Sequence, residues 1–547
     1  MDEFDFVVVG AGSAGCVLSA RLAEGGKKVC VLEAGPDDWN PYIHIPAGYI
    51  KNVFSKTLTW GFVSEPVPGA HDRRIELTQG RGVGGSSSLN GMVYSRGQRG
   101  DFDTWAQMGN PGWSYDDVLP FFKKSERRVG EGSPDYHGFD GRLTVADPEK
   151  LFPLMDTFIS AAKDIGFPYV PDQNAGDQRE GVTTWQFTVD PTGKRRVRMS
   201  SARAFLKPAV KTGNLSIRTN SSATRVIFKD GKAVGVEYRA GGPGSPLRQV
   251  HARREVVLCS GAINSPRLLQ ISGVGPEEHL RSIGVDVIHS LPGVGANLVD
   301  HLGVRATARV RNAESVNERS RGLPLLWETA KWVAGKPSIL AMPPMTMCLY
   351  LRSSPHLERP DIQIAFTPGS YRDGFPGVLE PFPGVTLGGY RQRPESRGYV
   401  RAKSKDIDVP PAIQPNYLDT EGDRRASIEI IRTVRRLFAA PSFAPYIAEE
   451  TFPGASVQSD DEIIDFARRY GNTVYHHTGT VRMGPDGDKM AVVDARLRVK
   501  GLRGLRVADN SVIPAHISGA TNATAIMIGE KAADIILKDE SASMRSA

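Results

Sequence analysis

The clearest hydrophobic pattern in the chain lies in its first forty residues. Phe4–Val9 is an apolar run with one interruption, which is typical of a buried parallel strand. An Ala- and Leu-rich stretch, Val17–Ala23, predicts a helix, and the apolar run Val29–Leu32 predicts a second strand that ends at Glu33. This order of strand, helix, strand and acid predicts the start of a dinucleotide-binding fold.

A complete G-x-G-x-x-G motif, Gly10–Gly15, joins the first strand to the helix. Gly10 permits the tight turn, Gly12 lets backbone approach a pyrophosphate, and Gly15 lets the helix pack close to the sheet. The helix N-terminus offers N–H groups to phosphate oxygens, and Glu33 can accept both ribose hydroxyls. The alternative is a glycine-rich turn without a ligand, which leaves Glu33 unexplained.

Further along the chain, other hydrophobic patterns predict more strands and helices. Ser216–Arg239 alternates as two strands with a turn at 230–232, and Glu255–Cys259 is typical of another buried parallel strand. Amphipathic spacing predicts helices over Arg424–Ala439 and Asp461–Tyr470. These patterns indicate an α/β protein.

Composition narrows the class of protein. The 547 residues are 40% hydrophobic and 24% charged, as in an ordinary globular protein with room for two or more domains. No uncharged apolar stretch of about 18 residues occurs, so no membrane span is predicted, and the first strand begins too early for a signal peptide. Four cysteines form no C-x-x-C pair, so reduced core thiols and a cytoplasmic location are predicted: Cys16, Cys30, Cys259 and Cys348.

Charge gives little indication of a macromolecular partner. The formal net charge is +7, and no basic block is interleaved with aromatic residues, so no nucleic acid is expected to bind. The densest basic cluster, Arg195–Arg198, is expected to be a solvated loop. The oligomeric state is left open.

Several segments spread along the chain carry a family resemblance. Gly80–Gly91 is rich in glycine and serine, which indicates backbone N–H groups close to a ligand rather than a linker. The chain resembles the glucose–methanol–choline (GMC) oxidoreductases, a family of FAD flavoproteins, at Arg81–Arg96, Gly261–Gly275, Val294–His301 and Tyr475–Leu537. The resemblance implies a Rossmann-like FAD-binding domain of GMC type and a substrate domain built on a large antiparallel β-sheet backed by helices.

The resemblance also implies a division of the chain, although residues 305–460 match only in outline. The FAD-binding domain would comprise residues 1–150, 206–304 and 461–547, the last of which carries the catalytic residues. The substrate domain would comprise residues 151–205 and 305–460. Period-two patterns there fit strands of the antiparallel sheet: residues 303–312, Met345–Tyr350 and Asp361–Phe366.

By resemblance the cofactor is one FAD molecule. Its expected contacts are Gly10, Gly12, Ser13, Ala14, Gly15, Glu33, Ala34, Arg81, Val83, Gly85, Ser86, Asn90, Gly91, Val93, Ala223, Tyr475, Asp509, Asn510 and Asn522. Some members of the family tether FAD through a histidine just before the signature asparagine. That position is Leu89, which has no nucleophile, so non-covalent binding is predicted.

Two adjacent histidines, His476 and His477, stand at the family pattern H-x-x-G-T. Neighbouring side chains cannot point the same way, and the pattern assigns the flavin-facing role to His476; a hydrogen-bonded structural histidine is the alternative. The family's second position, a histidine or asparagine, falls on Asn522, which could also cap a helix. His477 is expected to have a packing role, and His516 is expected to stand apart.

The resemblance implies oxidation of a primary alcohol (aryl, choline-like or medium-chain) to its aldehyde. Hydride would pass to flavin N5, with His476 as general base and Asn522 directing the substrate oxygen. Oxygen and a quinone or dye are both open as electron acceptors.

Two other functions remain as alternatives. The pair His476 and Asn522 disfavours a GMC-fold hydroxynitrile lyase or fatty-acid photodecarboxylase, and the family segments disfavour an NAD-dependent enzyme. Leu323–Met345, which contains Trp327 and Trp332, fits either an apolar pocket rim or an apolar core.

Overall fold

The computed structural model describes residues 2–176, 180–372 and 377–545, and their side chains up to residue 542. Within these ranges, two seven-stranded β-sheets form the framework. The first sheet has a parallel centre of five strands: Leu215–Arg218, Val29–Leu32, Glu3–Val9, Leu247–Leu258 and Leu505–Val507. An antiparallel hairpin extends it beyond Leu247–Leu258: Ser221–Lys229 and Lys232–Ala240.

The predicted strand–helix–strand unit is confirmed at the start of the chain. Glu3–Val9 and Val29–Leu32 pair in parallel, and helix Ser13–Glu24 connects them. Gly10 has a φ of 104°, which a side chain would disfavour. A Cβ atom on Gly15 would clash with the carbonyl oxygen of Gly10, so the absence of a side chain is what lets the helix begin directly against the strand.

The second sheet is antiparallel and takes its strands from distant parts of the chain: Gly181–Thr184, Leu302–Val310, Met347–Leu351, Ile362–Thr367, Gly384–Arg391, Ile447–Phe452 and Asn472–Thr473. Three of these strands confirm the period-two predictions. Helix Glu421–Phe438 packs across this sheet, as its amphipathic pattern predicted, and Asp460–Tyr470 packs beside that helix. The expected fold class, a Rossmann-like domain with a second antiparallel sheet backed by helices, is therefore confirmed.

Shorter elements connect and cover the sheets. The other helices are Pro41–His44, Tyr49–Asn52, Arg99–Gln107, Tyr115–Ser125, Leu154–Asp164, Ala202–Leu206, Lys207–Ala209, Gly261–Ile271, Glu277–Ser282, Val316–Arg319, Gly322–Val333 and Asn522–Arg545. The other strands are Val93–Tyr94, Glu126–Val129, Leu143–Ala146, Gln186–Phe187, Val189–Asp190, Val197–Arg198, Val274–Gly275, His289–Ser290, Ala296–Leu298, Gly398–Arg401 and Ala412–Gln414. Among the described helices, none is both long and apolar enough to cross a bilayer.

Each large sheet has its own hydrophobic core. Residues of the first sheet and of helices Ser13–Glu24 and Asn522–Arg545 form one core, and those of the second sheet and helix Glu421–Phe438 form the other. The division into domains at particular residue numbers stays a prediction. The four cysteines are buried free thiols, as expected.

The basic cluster Arg195–Arg198 is not a solvated loop throughout. Arg198 is buried and donates hydrogen bonds to the carbonyl oxygens of Ser87 (3.2 Å) and Asn90 (2.7 Å). The prediction is wrong at this residue because Arg198 holds the second glycine-rich segment, Gly80–Gly91, in place. Arg195, in contrast, is exposed.

Candidate active site

A cavity of about 630 Å³ is lined by residues from both large sheets. The first sheet contributes the ends of its first two strands, including Val9 and Leu32. The second sheet contributes residues such as Gly303, Gln363 and Ala365. The cavity therefore joins the glycine turn of the Rossmann-like part to the antiparallel sheet.

Most of the predicted cofactor contacts line this cavity: Gly10, Gly12, Ser13, Ala14, Glu33, Ala34, Gly85, Ser86, Asn90, Gly91, Val93, Ala223, Tyr475, Asp509, Asn510 and Asn522. Three do not. Gly15 faces the Gly10 carbonyl, Val83 belongs to the hydrophobic core, and the Arg81 guanidinium lies 5.6 Å from the ring centre of Trp60.

The two glycine segments meet and form a cradle for a phosphate-bearing group. A Cβ atom on Gly85 would lie 2.7 Å from the Cα atom of Gly12, so only glycine allows this approach. The helix that begins at Ser13 has no side-chain cap, which leaves its first N–H groups for another acceptor. These features fit the pyrophosphate of a dinucleotide such as FAD.

Glu33 lies at the end of the second strand and connects both glycine segments. One carboxylate oxygen, Oε2, accepts the N–H of Ala11 (2.9 Å), and Oε1 accepts those of Gly35 (2.8 Å) and Gly82 (3.0 Å). Burial raises the pKa of Glu33, although these three donors oppose the shift. Glu33 thus orders the cradle itself, and its predicted contact with ribose hydroxyls stays a prediction.

Asp300 organises the backbone of the segment that carries the two adjacent histidines. Its carboxylate accepts the hydroxyl protons of Tyr417 and Thr473 and the backbone N–H of His476 (2.7 Å). Burial would raise the pKa of Asp300, but the nearby His477 and the hydroxyl groups of Thr473 and Tyr417 lower it overall. An ionised Asp300 therefore fixes the backbone position of His476, from which the ring extends.

The hydrogen bonds of His301 determine which nitrogen of His476 carries a proton. His301 Nε2 lies 2.7 Å from the carbonyl oxygen of Gln392, which can only accept, so Nε2 is protonated. His301 Nδ1 is then an acceptor in the neutral ring, and it lies 2.9 Å from His476 Nδ1. His476 Nδ1 must donate this hydrogen bond, which leaves His476 Nε2 without a proton.

The imidazoles around His476 are held neutral. Burial lowers the pKa of His476 to about 3 and that of His516 to about 4, and it takes the pKa of His301 well below its ordinary value. The His301 ring stacks on Tyr390 (4.1 Å between ring centres), and the tilted ring of His516 lies 4.2 Å away. A neutral His476 can accept a proton in the cavity that it lines.

His477 and His516 make different contacts near His476. The Nδ1 atom of His477 accepts a hydrogen bond from the Gln79 amide (3.1 Å), and its Nε2 atom lies 3.4 Å from Asp300 without hydrogen-bond geometry. His516 was expected to stand apart, but its Nε2 atom lies 2.9 Å from the carbonyl oxygen of His476. The chain returns His516 to the site because residues 510–512 run alongside residues 479–483, whose backbone N–H groups donate to them.

Asn522 is the first residue of the C-terminal helix and lines the cavity. Its Oδ1 atom accepts a hydrogen bond from the Ser13 hydroxyl (2.7 Å). This bond turns the amide so that its N–H donors face away from Ser13. Leu89, the position of the family tether, is also on the cavity wall and offers no nucleophile.

Sequence reasoning missed Asp300, His301 and His516 as parts of the site. The first two did fall within the family segment Val294–His301, which was the available signal. Leu323–Met345 was expected to form either an apolar pocket rim or an apolar core. Both interpretations are wrong over its first half, because Trp327 lies on the exposed face of a surface helix. From that segment only Pro344 and Met345 line the cavity.

Comparison with known proteins gives one consistent family. Models described as GMC oxidoreductase match residues 4–303 and 394–529. An oxygen-dependent choline dehydrogenase of Rhizobium johnstonii is 40% identical over 539 residues, 98% of the chain and 96% of that protein. An alcohol dehydrogenase (acceptor) of Pseudomonas putida is 39% identical over 540 residues, with the same shares.

Solved structures agree with this family over almost the whole chain. A formate oxidase variant of Aspergillus oryzae RIB40, solved for its effect on FAD modification, superposes with a TM-score of 0.91. Its sequence is 26% identical, and the match covers 98% of each chain.

Proposed function

The chain belongs to the GMC oxidoreductase family, whose cofactor is FAD, and from that premise we propose that it oxidises the CH–OH group of a primary alcohol to the aldehyde. Bound FAD supplies the hydride acceptor. The observation that carries the proposal is the hydrogen-bond chain from Gln392 through His301 to His476, which leaves His476 Nε2 free to take a proton at the cavity.

In the proposed reaction, two side chains act on the substrate hydroxyl. His476 Nε2 takes its proton while hydride leaves the neighbouring carbon. The amide N–H of Asn522 donates to the substrate oxygen, since its Oδ1 atom is already bonded to Ser13. The predicted FAD contacts that line the cavity are proposed to hold the cofactor without a covalent bond, since Leu89 cannot form one.

The charges of the cavity support a neutral aryl or medium-chain alcohol over choline. Among its described lining residues the carboxylates are those of Glu33, Asp408 and Asp509. Glu33 is bonded to three backbone N–H groups, Asp408 is paired with Arg239, and Asp509 accepts from neighbouring backbone and hydroxyl groups. All three are engaged by the protein, so among the described lining residues a quaternary ammonium group would meet aromatic rings such as those of Trp60 and Tyr390, and no unpaired carboxylate.

Flavin bleaching under anaerobic conditions tests this function. Benzyl alcohol and hexanol should bleach the flavin absorbance in the dark, and toluene, which lacks the hydroxyl, should not. Choline should bleach it more slowly than either alcohol. Faster bleaching by choline would overturn the substrate preference alone, whereas no bleaching by any alcohol would overturn alcohol oxidation and favour the lyase or photochemical alternatives.

A further inference from the structure

Helix Gly322–Val333 exposes its apolar side and buries its acid. Leu323 is 80% exposed, Leu326 and Trp327 are each 66% exposed, and Val333 is 47% exposed. The helix residue that is buried is Glu328, which is paired with Lys331 and accepts the backbone N–H of Ile339 (3.0 Å). A surface helix normally has the reverse arrangement.

The exposed apolar residues form one continuous stripe. Leu323, Leu326, Trp327, Ala330 and Val333 follow the helical spacing of three and four residues, and all five are exposed. Single exposed apolar residues are normal on any protein, but a contiguous exposed patch marks an interaction surface. We refer to these five residues as the exposed stripe.

Cations flank the exposed stripe at both ends. Arg321 precedes the helix, and Lys336 follows it. Lys194 and Arg195 also lie at the C-terminal end of the helix. A Cβ atom on Gly335 would clash with the carbonyl oxygen of Lys194, and the Arg195 guanidinium lies 5.0 Å from the ring centre of Trp332. None of these four cations belongs to an ion pair formed by the described residues.

We propose that the exposed stripe docks on an anionic lipid surface. Leucine and tryptophan on one side of a helix, with lysine and arginine around it, are the features of helices that lie in the membrane interface. The helix is twelve residues long, so it lies on the bilayer and does not span it.

The charges argue against a second copy of the chain as the occupant. A two-fold interface through the exposed stripe would bring the cations at each end of one helix close to the cations of the partner helix. Lipid phosphates neutralise both ends instead. Since this surface is distinct from the cavity, the proposal does not depend on the alcohol chemistry.

Docking in this way would place one wall of the cavity near the membrane. After the helix, the short turn Ile339–Ala341 packs on the turn Pro46–Gly48, and Pro344 and Met345 then line the cavity. Tyr49, which follows the turn Pro46–Gly48, also lines the cavity. The segment that follows the docking helix therefore continues into the cavity wall.

Vesicle flotation of the FAD-loaded protein tests the proposal. The protein should float with vesicles rich in phosphatidylglycerol at low salt, and it should bind much less to pure phosphatidylcholine. Replacing three residues of the stripe, Leu323→Gln with Leu326→Gln and Trp327→Gln, should lower the partition coefficient at least about tenfold, because the buried apolar area is lost. The matched control, Leu247→Gln with Ile288→Gln, removes exposed apolar residues elsewhere and should bind like the parent.

A second variant tests the cations separately. Lys194→Glu with Lys336→Glu should weaken binding to anionic vesicles and reduce its dependence on salt. Flavin content and alcohol turnover in solution should be unchanged in every variant, which shows that the fold is intact. The proposal is overturned if the parent does not float, if the stripe variant binds as well as the control, or if sedimentation shows a stripe-dependent dimer without lipid.

Discussion

Replacing each of the two adjacent histidines separates the proposed base from its neighbour. His476→Ala removes the ring whose Nε2 is left without a proton, and His477→Ala removes a ring that contacts Gln79 and approaches Asp300. Both variants should keep FAD, because neither ring forms a direct hydrogen bond with the glycine cradle. The rate constant of flavin reduction by alcohol, measured by anaerobic stopped flow, isolates the proposed step from reoxidation.

The structure gives the two variants different expected magnitudes. Removal of a general base typically costs about 10²–10⁴-fold, which is the expected loss for His476→Ala. His477→Ala loses one neutral hydrogen bond of about 0.5–1.5 kcal/mol, so a loss of roughly two- to tenfold is expected. His477→Ala slower than His476→Ala would show that the assignment is off by one residue. Normal flavin reduction in both variants would refute alcohol oxidation through this site.

Three other measurements test the cofactor contacts and one buried ion network. Acid precipitation should release all the FAD, because Leu89 has no nucleophile; flavin left in the pellet would contradict this. Glu33→Ala should lower FAD occupancy by loosening the cradle, yet leave near-normal turnover per bound flavin; a fully loaded but inactive variant would contradict it. Burial opposes charge on His137, but Asp172 and Glu126 raise its pKa above the ordinary 6.5. The stability that it contributes is present below pH 6.5 and lost as the pH rises through the higher folded-state pKa, so denaturant titrations should show a decline there that His137→Gln removes. If the free energy of unfolding of His137→Gln declined over the same pH range, the decline would belong to other ionisable groups.

The sequence was sufficient for features that depend on local pattern. The first strand–helix–strand unit and the spacing of Gly10–Gly15 follow from short-range sterics and hydrophobic periodicity. His476 and Asn522 could be proposed from motifs, and the structure places both on one cavity. The antiparallel strands were visible as alternating patterns, whereas their order in the sheet was not.

The remaining features depend on contacts between distant residues. His301 and His476 are 175 positions apart, so nothing local indicates that their Nδ1 atoms meet. In the same way, the spacing of Leu323, Leu326 and Trp327 shows that a stripe exists but not which side of the helix faces solvent. Tertiary packing decides this orientation, and here the hydrogen bonds of Glu328 turn the stripe outward.

The position of Asp300 bears on the proposal that the buried His476 imidazole acts as a base. Burial lowers the pKa of His476 and keeps the ring neutral before reaction, and Asp300 binds the backbone N–H of His476 and not its ring. The carboxylate is nonetheless close enough to favour a positive charge on that ring, which partly offsets the effect of burial. A proton taken from the substrate would therefore be held in the field of Asp300, while the hydrogen bond to His301 keeps the ring oriented. A direct pairing of Asp300 with the ring would instead favour the protonated form in advance, and His476 could then take no proton from an alcohol.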